Sequence, residues 1–148
     1  MKTLFRHAGI IVSDVEKLKN FYTKNFKLKI LCDIVEEGKY FSSLIGKKKS
    51  VAKVVKLGLH DDSYLEFIQF LKKKSKKKNK INKDFKQKGK IHICFTVKNI
   101  ETIFKKLRKE KIKFISKPLN SDFDPVKTCF FYDPEDNLIQ LVEGKNSF

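Results

Sequence analysis

Tryptophan is absent from the chain and arginine occurs only twice, at Arg6 and Arg108, so nearly all of its 34 basic residues are lysines. Arginine is the side chain that pairs bidentately with guanine edges and phosphates, and aromatic rings are what stack on bases. Their scarcity argues against specific nucleic-acid recognition. Cysteine is scarce as well: Cys32, Cys94 and Cys129 form an odd set with no CxxC spacing. That excludes a disulfide framework and a zinc ribbon, and reads as reduced thiols in a cytoplasmic protein. No stretch approaches the roughly 18 consecutive apolar residues of a membrane span. The opening MKTLFRHAGIIVSDVEK runs into a Ser/Asp helix start instead of a small-residue cleavage site, so no secretory leader is expected.

What is present is lysine and phenylalanine in a chain of 148 residues with net charge +17. That length suits one domain, or two small modules sharing a core, and needs no metal or disulfide to fold. The charge is concentrated. Between Lys72 and Lys90 there are 11 lysines and one acid, Asp84, leaving +7 on the other 129 residues. Like charges at this density repel and stay hydrated, so residues 72–89 read as an exposed linker. Phe85 alone offers a ring for stacking there, and only non-specific attraction to polyanions follows.

The linker separates two segments that repeat one pattern, 4–71 and 90–145, within a single domain over 1–148. His7–Glu16 (HAGIIVSDVE) lines up with His92–Glu101 (HICFTVKNIE) at an offset of 85 positions. In each, an apolar run stops at a helix-capping residue, Ser13 or Asp14 and then Asn99. Val15, Leu18 and Tyr22 match Ile100, Ile103 and Leu107, the spacing of a helix with one buried face. Strand-like runs follow at Lys27–Asp33, Val51–Leu59 and Tyr64–Phe70, then at Ile112–Ser116, Lys127–Tyr132 and Leu138–Glu143. Turn-like HDDS (His60–Ser63) and DPEDN (Asp133–Asn137) precede the last strand of each half. Each half therefore reads β-α-β-β-β. The first carries an insertion over 38–50, with a short helix expected around Phe41–Ile45.

Strand side chains alternate between faces. Ala8, Ile10 and Val12 form an apolar face suited to packing on a helix, which leaves His7 on the other; Ile93, Phe95 and Val97 do the same for His92. In the last strands Glu66 aligns with Gln140, and Gln69 with Glu143. Glu66 and Gln140 lie among bulky apolar neighbours, where a polar group is costly unless paired or bound to metal. Two His, one carboxylate and one amide at repeated positions supply N and O donors for a divalent ion. Glu66 could instead pair with a nearby Lys, and Gln140 could be a weak ligand or a pocket-lining amide. Glu143 is expected at the surface, His60 in an exposed turn, and Cys94 beside His92 as an inert thiol. Tyr40, Phe41, Phe123 and Phe130 could wall a cavity, with core packing the safer reading for each.

The motifs HAGIIVSDVEKLKNFY, IHICFTVKNIE and FFYDPEDNLIQLVE together resemble the vicinal oxygen chelate superfamily. That superfamily includes glyoxalase I, methylmalonyl-CoA epimerase, extradiol dioxygenases, and fosfomycin- and bleomycin-resistance proteins. The resemblance implies an α+β fold, two β-α-β-β-β modules forming a cupped, partly closed mixed barrel with helices outside. It also implies a metal set of His7, Glu66, His92 and Gln140, one His and one Glu or Gln from each module. Glyoxalase-I-like members carry Glu where this chain has Gln140, which removes the second base of their proton shuttle. The expected activity is that of a lyase, isomerase or epimerase moving a proton alpha to a carbonyl of a small anionic substrate. Glu66 is expected to be ligand and general base, with Ni, Co, Zn, Mn or Fe as cofactor. The alternatives are an Fe(II) extradiol-type dioxygenase using His7, His92 and Glu66, and a non-catalytic binder of the bleomycin-resistance type. A homodimer, no membrane association and a cytoplasmic location complete the expectation.

Overall fold

Two helices begin in the same way because the same chemistry satisfies their first N–H groups. The Asp14 side chain accepts from the Lys17 N–H at the start of α1 (Val15–Phe26), and Asn99 accepts from Thr102 at the start of α3 (Ile100–Lys109). A short polar side chain just before the first helical residue is the ordinary N-cap. The structure is a computed structural model that describes residues 5–59, 63–71, 85–123 and 125–144. His60 and most of the Lys-rich run, 72–84, lie outside the described residues.

The chain divides into two units, Met1–Lys78 and Asn79–Phe148. In the first, β1 (His7–Ile11) leads into α1, followed by β2 (Lys29–Glu36), α2 (Lys39–Leu44), β3 (Ala52–Gly58) and β4 (Tyr64–Phe70). Its sheet runs β1-β4-β3-β2, with β1 parallel to β4 and the other pairs antiparallel. In the second, β5 (Ile93–Thr96) leads into α3, then β6 (Lys113–Phe114), β7 (Leu119–Asn120), β8 (Lys127–Tyr132) and β9 (Leu138–Glu143). That sheet runs β5-β9-β8-β6, with β7 also on β8 and β5 parallel to β9. The protein is thus α+β, two mixed sheets each with its own crossover helix.

Three strand expectations needed correction. The run placed at Lys27–Asp33 is shifted and longer, because Lys27 adopts a left-handed conformation at the end of α1 and pairing with β3 continues to Glu36. The run at Ile112–Ser116 shrinks to the two-residue strand Lys113–Phe114, beyond which the Ile115 N–H still donates to the Phe130 carbonyl of β8. His92 lies just before β5 rather than in it, as the parallel ladder begins at Ile93 opposite Ile139.

One face of each sheet holds the helix. In the first unit Leu18 and Tyr22 of α1 are fully buried with Val55, Leu57 and Phe67, and the Tyr22 and Phe67 rings stack 5.4 Å apart. In the second, Ile100 and Leu107 are buried with Phe131, Ile139 and Leu141. Each such side chain contributes about 1.5–3 kcal/mol through removal from water.

The helix-facing side also carries polar fastenings. Gln69 accepts a hydrogen bond from the Val15 N–H at 2.9 Å, and Glu143 accepts one from Ile100 at 3.0 Å. The last strand of each unit therefore satisfies the first N–H of that unit's helix. Glu143, expected at the surface, has this role because its parity turns it toward α3. Asp33, on the same side of its sheet, bridges Lys19 at 2.6 Å and also Lys53.

Two stability predictions follow from these contacts. Glu143→Ala should destabilise by about 1 kcal/mol in urea unfolding, the cost of a lost N-terminal partner, and Glu143→Gln should restore most of it. Hydrogen bonds from Lys19 and then Lys53 hold the Asp33 carboxyl below its ordinary value. A depressed carboxyl stabilises the fold fully above about pH 4, and that stabilisation is lost as pH falls through the depressed value. Asp33→Asn should therefore differ most from wild type at pH 7, and the difference should shrink as pH falls below about 4.

Candidate metal and acid–base site

The sheet face away from α1 is where period-two alternation leaves the polar residues of the first unit. Parallel pairing sets His7 opposite Tyr64 and Gly9 opposite Glu66, and antiparallel pairing sets Lys56 opposite Glu66. His7, Glu66, Lys56 and Tyr64 consequently form one cluster. The His7 ring stacks on Tyr64 at 4.7 Å, nearly parallel at 16°. Its Nε2 lies 3.6 Å from Glu66 Oε2, while Lys56 Nζ lies 3.3 Å from Glu66 Oε1. Lys56 also lies over the Tyr64 ring, 5.5 Å from its centre. Glu66 is the most enclosed of the three charged or titratable groups, 16% exposed against 32% for His7 and 31% for Lys56.

Burial pulls the Lys56 ammonium toward deprotonation, but its hydrogen bond and attraction to Glu66, aided by Tyr64 and Cys32, outweigh this and raise its pKa. Lys56 is thus a charged partner of Glu66, and it is the residue sequence reasoning passed over. The signal was available in the turn between β3 and β4. Stepping back equally from that turn on both strands pairs Lys56 with Glu66. Lys53, three residues earlier, falls on the other face and reaches Asp33.

The far end of the same face is closed by the insertion. Phe41 of α2 is buried with Ala52 and Val54, with Ile45 and Ile68 packed beside them, and its ring lies near Phe70. Phe41 is therefore core, whereas Tyr40 is exposed. An open groove of about 610 Å³ lies on the outside of the insertion, bordered by Lys39, Ser42 and Lys47–Lys49, and includes neither His7 nor Glu66. The chemistry and this groove do not coincide.

In the second unit Gln140 pairs with Cys94 on one side and Phe130 on the other. Its Nε2 donates to Thr128 Oγ1 at 3.0 Å, and that hydroxyl donates to the Leu141 carbonyl. This chain of bonds turns the Gln140 amide so that its oxygen is left as the acceptor. His92 is exposed and meets Phe130 edge-on at 5.4 Å. Cys94 is exposed as well, and so is Phe123. Cys129 is buried, and burial followed by the nearby Glu101 pushes its thiol up to about 11. A thiol so raised is not a nucleophile at neutral pH.

The donors of the first unit fit a divalent ion. With bonds of about 2.0–2.2 Å to imidazole nitrogen and carboxylate oxygen, two donors on one tetrahedral ion stand about as far apart as His7 Nε2 and Glu66 Oε2 do. The His7 Nδ1 is buried without a hydrogen-bond partner. Beside the pair, Gly9 keeps the floor open: a methyl there would touch Glu66 Oε2 at 3.7 Å and the His7 ring at 3.9 Å. Within either unit, among the described residues, no three His, Cys, Asp or Glu side chains converge. The first unit instead offers the pair His7 with Glu66, and in the second His92 and Gln140 each neighbour Phe130.

Comparison with known proteins agrees with the fold. A glyoxalase family protein from Bacillus cereus has a similar fold, with a TM-score of 0.82 at 18% identity, covering 96% of this chain and 95% of its own. One from Enterococcus faecalis is 22% identical, with a TM-score of 0.60 and coverage of 95% and 97%. The fosfomycin resistance protein FosX from Listeria monocytogenes is 13% identical, with a TM-score of 0.64 and coverage of 98% and 96%. No curated protein sequence matches the chain. Residues 4–141 match the family model described as Glyoxalase/Bleomycin resistance protein/Dioxygenase superfamily, and the chain belongs to that superfamily.

Proposed function

We propose that this protein is a metal-dependent lyase, isomerase or epimerase that moves a proton alpha to a carbonyl of a small anionic substrate. The observation that carries the reading is the His7–Glu66 pair, a nitrogen and an oxygen donor 3.6 Å apart on an open sheet face. His7 and Glu66 are assigned as ligands, and the family pattern of one pair per module assigns His92 and Gln140 as the others. FosX from Listeria monocytogenes, with this fold, has been solved with Mn(II) and sulfate.

A divalent ion supplies Lewis acidity toward a substrate oxygen. Glu66 is the group that takes the proton from the carbon beside the carbonyl and returns it to the same or the neighbouring carbon. Stacking on Tyr64 holds the His7 ring, so its Nε2 keeps its direction while Glu66 works. Gln140 contributes no charge, so Glu66 is the single carboxylate of the set and the site favours anionic substrates. The reading includes a cytoplasmic homodimer. Support for a dimer comes from β2, one edge strand of its sheet, which exposes Ile30, Leu31, Ile34 and Val35. Among the described residues no helix is long and apolar enough to cross a membrane.

A second reading, a ligand-sequestering protein without catalysis, is favoured by Lys56, which satisfies Glu66 with no metal at all. Metal analysis of the purified protein beside His7→Ala and His92→Ala separates the readings. Nickel, cobalt, zinc or manganese lost in both variants supports proton transfer; iron with oxygen consumption supports an extradiol-type dioxygenase; metal in none supports the binder. For the enzyme, Glu66→Gln should slow solvent-deuterium exchange into a responsive carbonyl substrate, followed by proton NMR, by about 10²-fold or more. Full activity in that variant would remove Glu66 as the base.

A further inference from the structure

Glu66 already has a cation. Lys56 holds one of its oxygens from the neighbouring strand, 3.3 Å away, on the face where His7 presents its nitrogen to the other oxygen. The second unit has no such pair: the residue opposite Gln140, in the register of Lys56 opposite Glu66, is Phe130. Lysine accompanies the carboxylate, and an apolar ring accompanies the amide. A half-buried carboxylate needs a positive partner, whereas an amide does not.

We infer that Lys56 is the resident counter-cation of Glu66, that a divalent ion displaces it, and that the released ammonium then receives an oxygen of a dianionic ligand. This inference rests on the proposed metal-binding role of His7 and Glu66 and deepens it by naming a charge class for the substrate. Without metal, Lys56 and Glu66 balance. A divalent ion on Glu66 leaves the face with a formal excess of two positive charges, counting Lys56, on partly enclosed groups. Charges in such a setting demand compensation, and a dianion such as a dicarboxylate or a phosphoryl-type oxyanion supplies it in full where a monoanion does not. Metal and dianion are consequently linked. Each strengthens the other because both favour the state in which the Lys56–Glu66 bond is open, and the coupling is reciprocal.

The experiment measures Mn(II) affinity from the electron paramagnetic resonance signal of the free ion. It compares the wild-type protein with Lys56→Met, Lys56→Gln and Lys56→Arg, each in sulfate and in perchlorate at equal ionic strength. In wild type, sulfate should tighten Mn(II) binding by about tenfold relative to perchlorate, a coupling of ordinary size. Lys56→Met and Lys56→Gln should bind Mn(II) about tenfold tighter than wild type in perchlorate, with no resident cation to expel, and should lose the sulfate effect. Lys56→Arg should keep both wild-type properties. Using two neutral variants, with circular dichroism on each, separates a folding failure of one from the effect sought. Mn(II) bound equally by wild type and both neutral variants, or an unchanged sulfate effect, would overturn the inference and leave the metal reading intact if His7→Ala still abolishes binding. Mn(II) bound by none of the proteins would overturn the metal reading and this inference together.

Discussion

Parallel pairing between the first and last strand of each unit is the constraint on which both the packing and the candidate site depend. A parallel neighbour cannot be reached by a tight turn, so the chain must cross over the sheet before it returns. In the first unit α1 begins that crossover, and in the second α3 does, which buries one sheet face of each unit beneath a helix. The same pairing sets Gly9 beside Glu66 and His7 beside Tyr64. Period-two alternation then turns the apolar partners of that strand toward the helix and the chemistry-bearing ones away from it.

The two faces solve their electrostatics differently. On the helix side, charged groups are locked into the architecture: Asp33 between Lys19 and Lys53, and Glu143 on the first N–H of α3. On the opposite side, Glu66 has Lys56 on one oxygen and His7 near the other, and none of these groups is fully enclosed. Asp33 has a lysine on each oxygen, whereas Glu66 has one lysine and the His7 nitrogen, and that nitrogen is what sets the Glu66 cluster apart. Membership of the superfamily does not by itself select a reaction, because one fold hosts many chemistries and the site residues decide among them.

The repeat at an offset of 85 positions, the capping residues Asp14 and Asn99, and the alternation around His7 and Glu66 were all legible in the chain itself. Each is a local property, written within one helix turn or one strand. The paired β-α-β-β-β pattern was legible for the same reason. Less legible were the weak strands after α3, where short stretches take up pairing only because β8 lies beside them. Glu143 was misjudged as a surface group, since its role depends on a helix start 43 residues earlier. The aromatic residues proposed as cavity walls divided, with Phe41 in the core and Tyr40 and Phe123 exposed.

The lysine excess made the chain conspicuous, and most of it carries little information about the site. Composition, repeat and alternation by themselves determined an α+β chain of two related halves, and they named His7, Glu66, His92 and Gln140 as candidate donors. Alternation alone left open which lysine matters, and the tertiary structure decided it. Lys53 and Lys56 are three residues apart in one strand, so they occupy opposite faces, and the strands on either side give them different acids. Lys53 reaches Asp33 and Lys56 reaches Glu66. Such a choice is made by cross-strand register, which depends on how distant segments align and not on the residues beside a lysine in the chain.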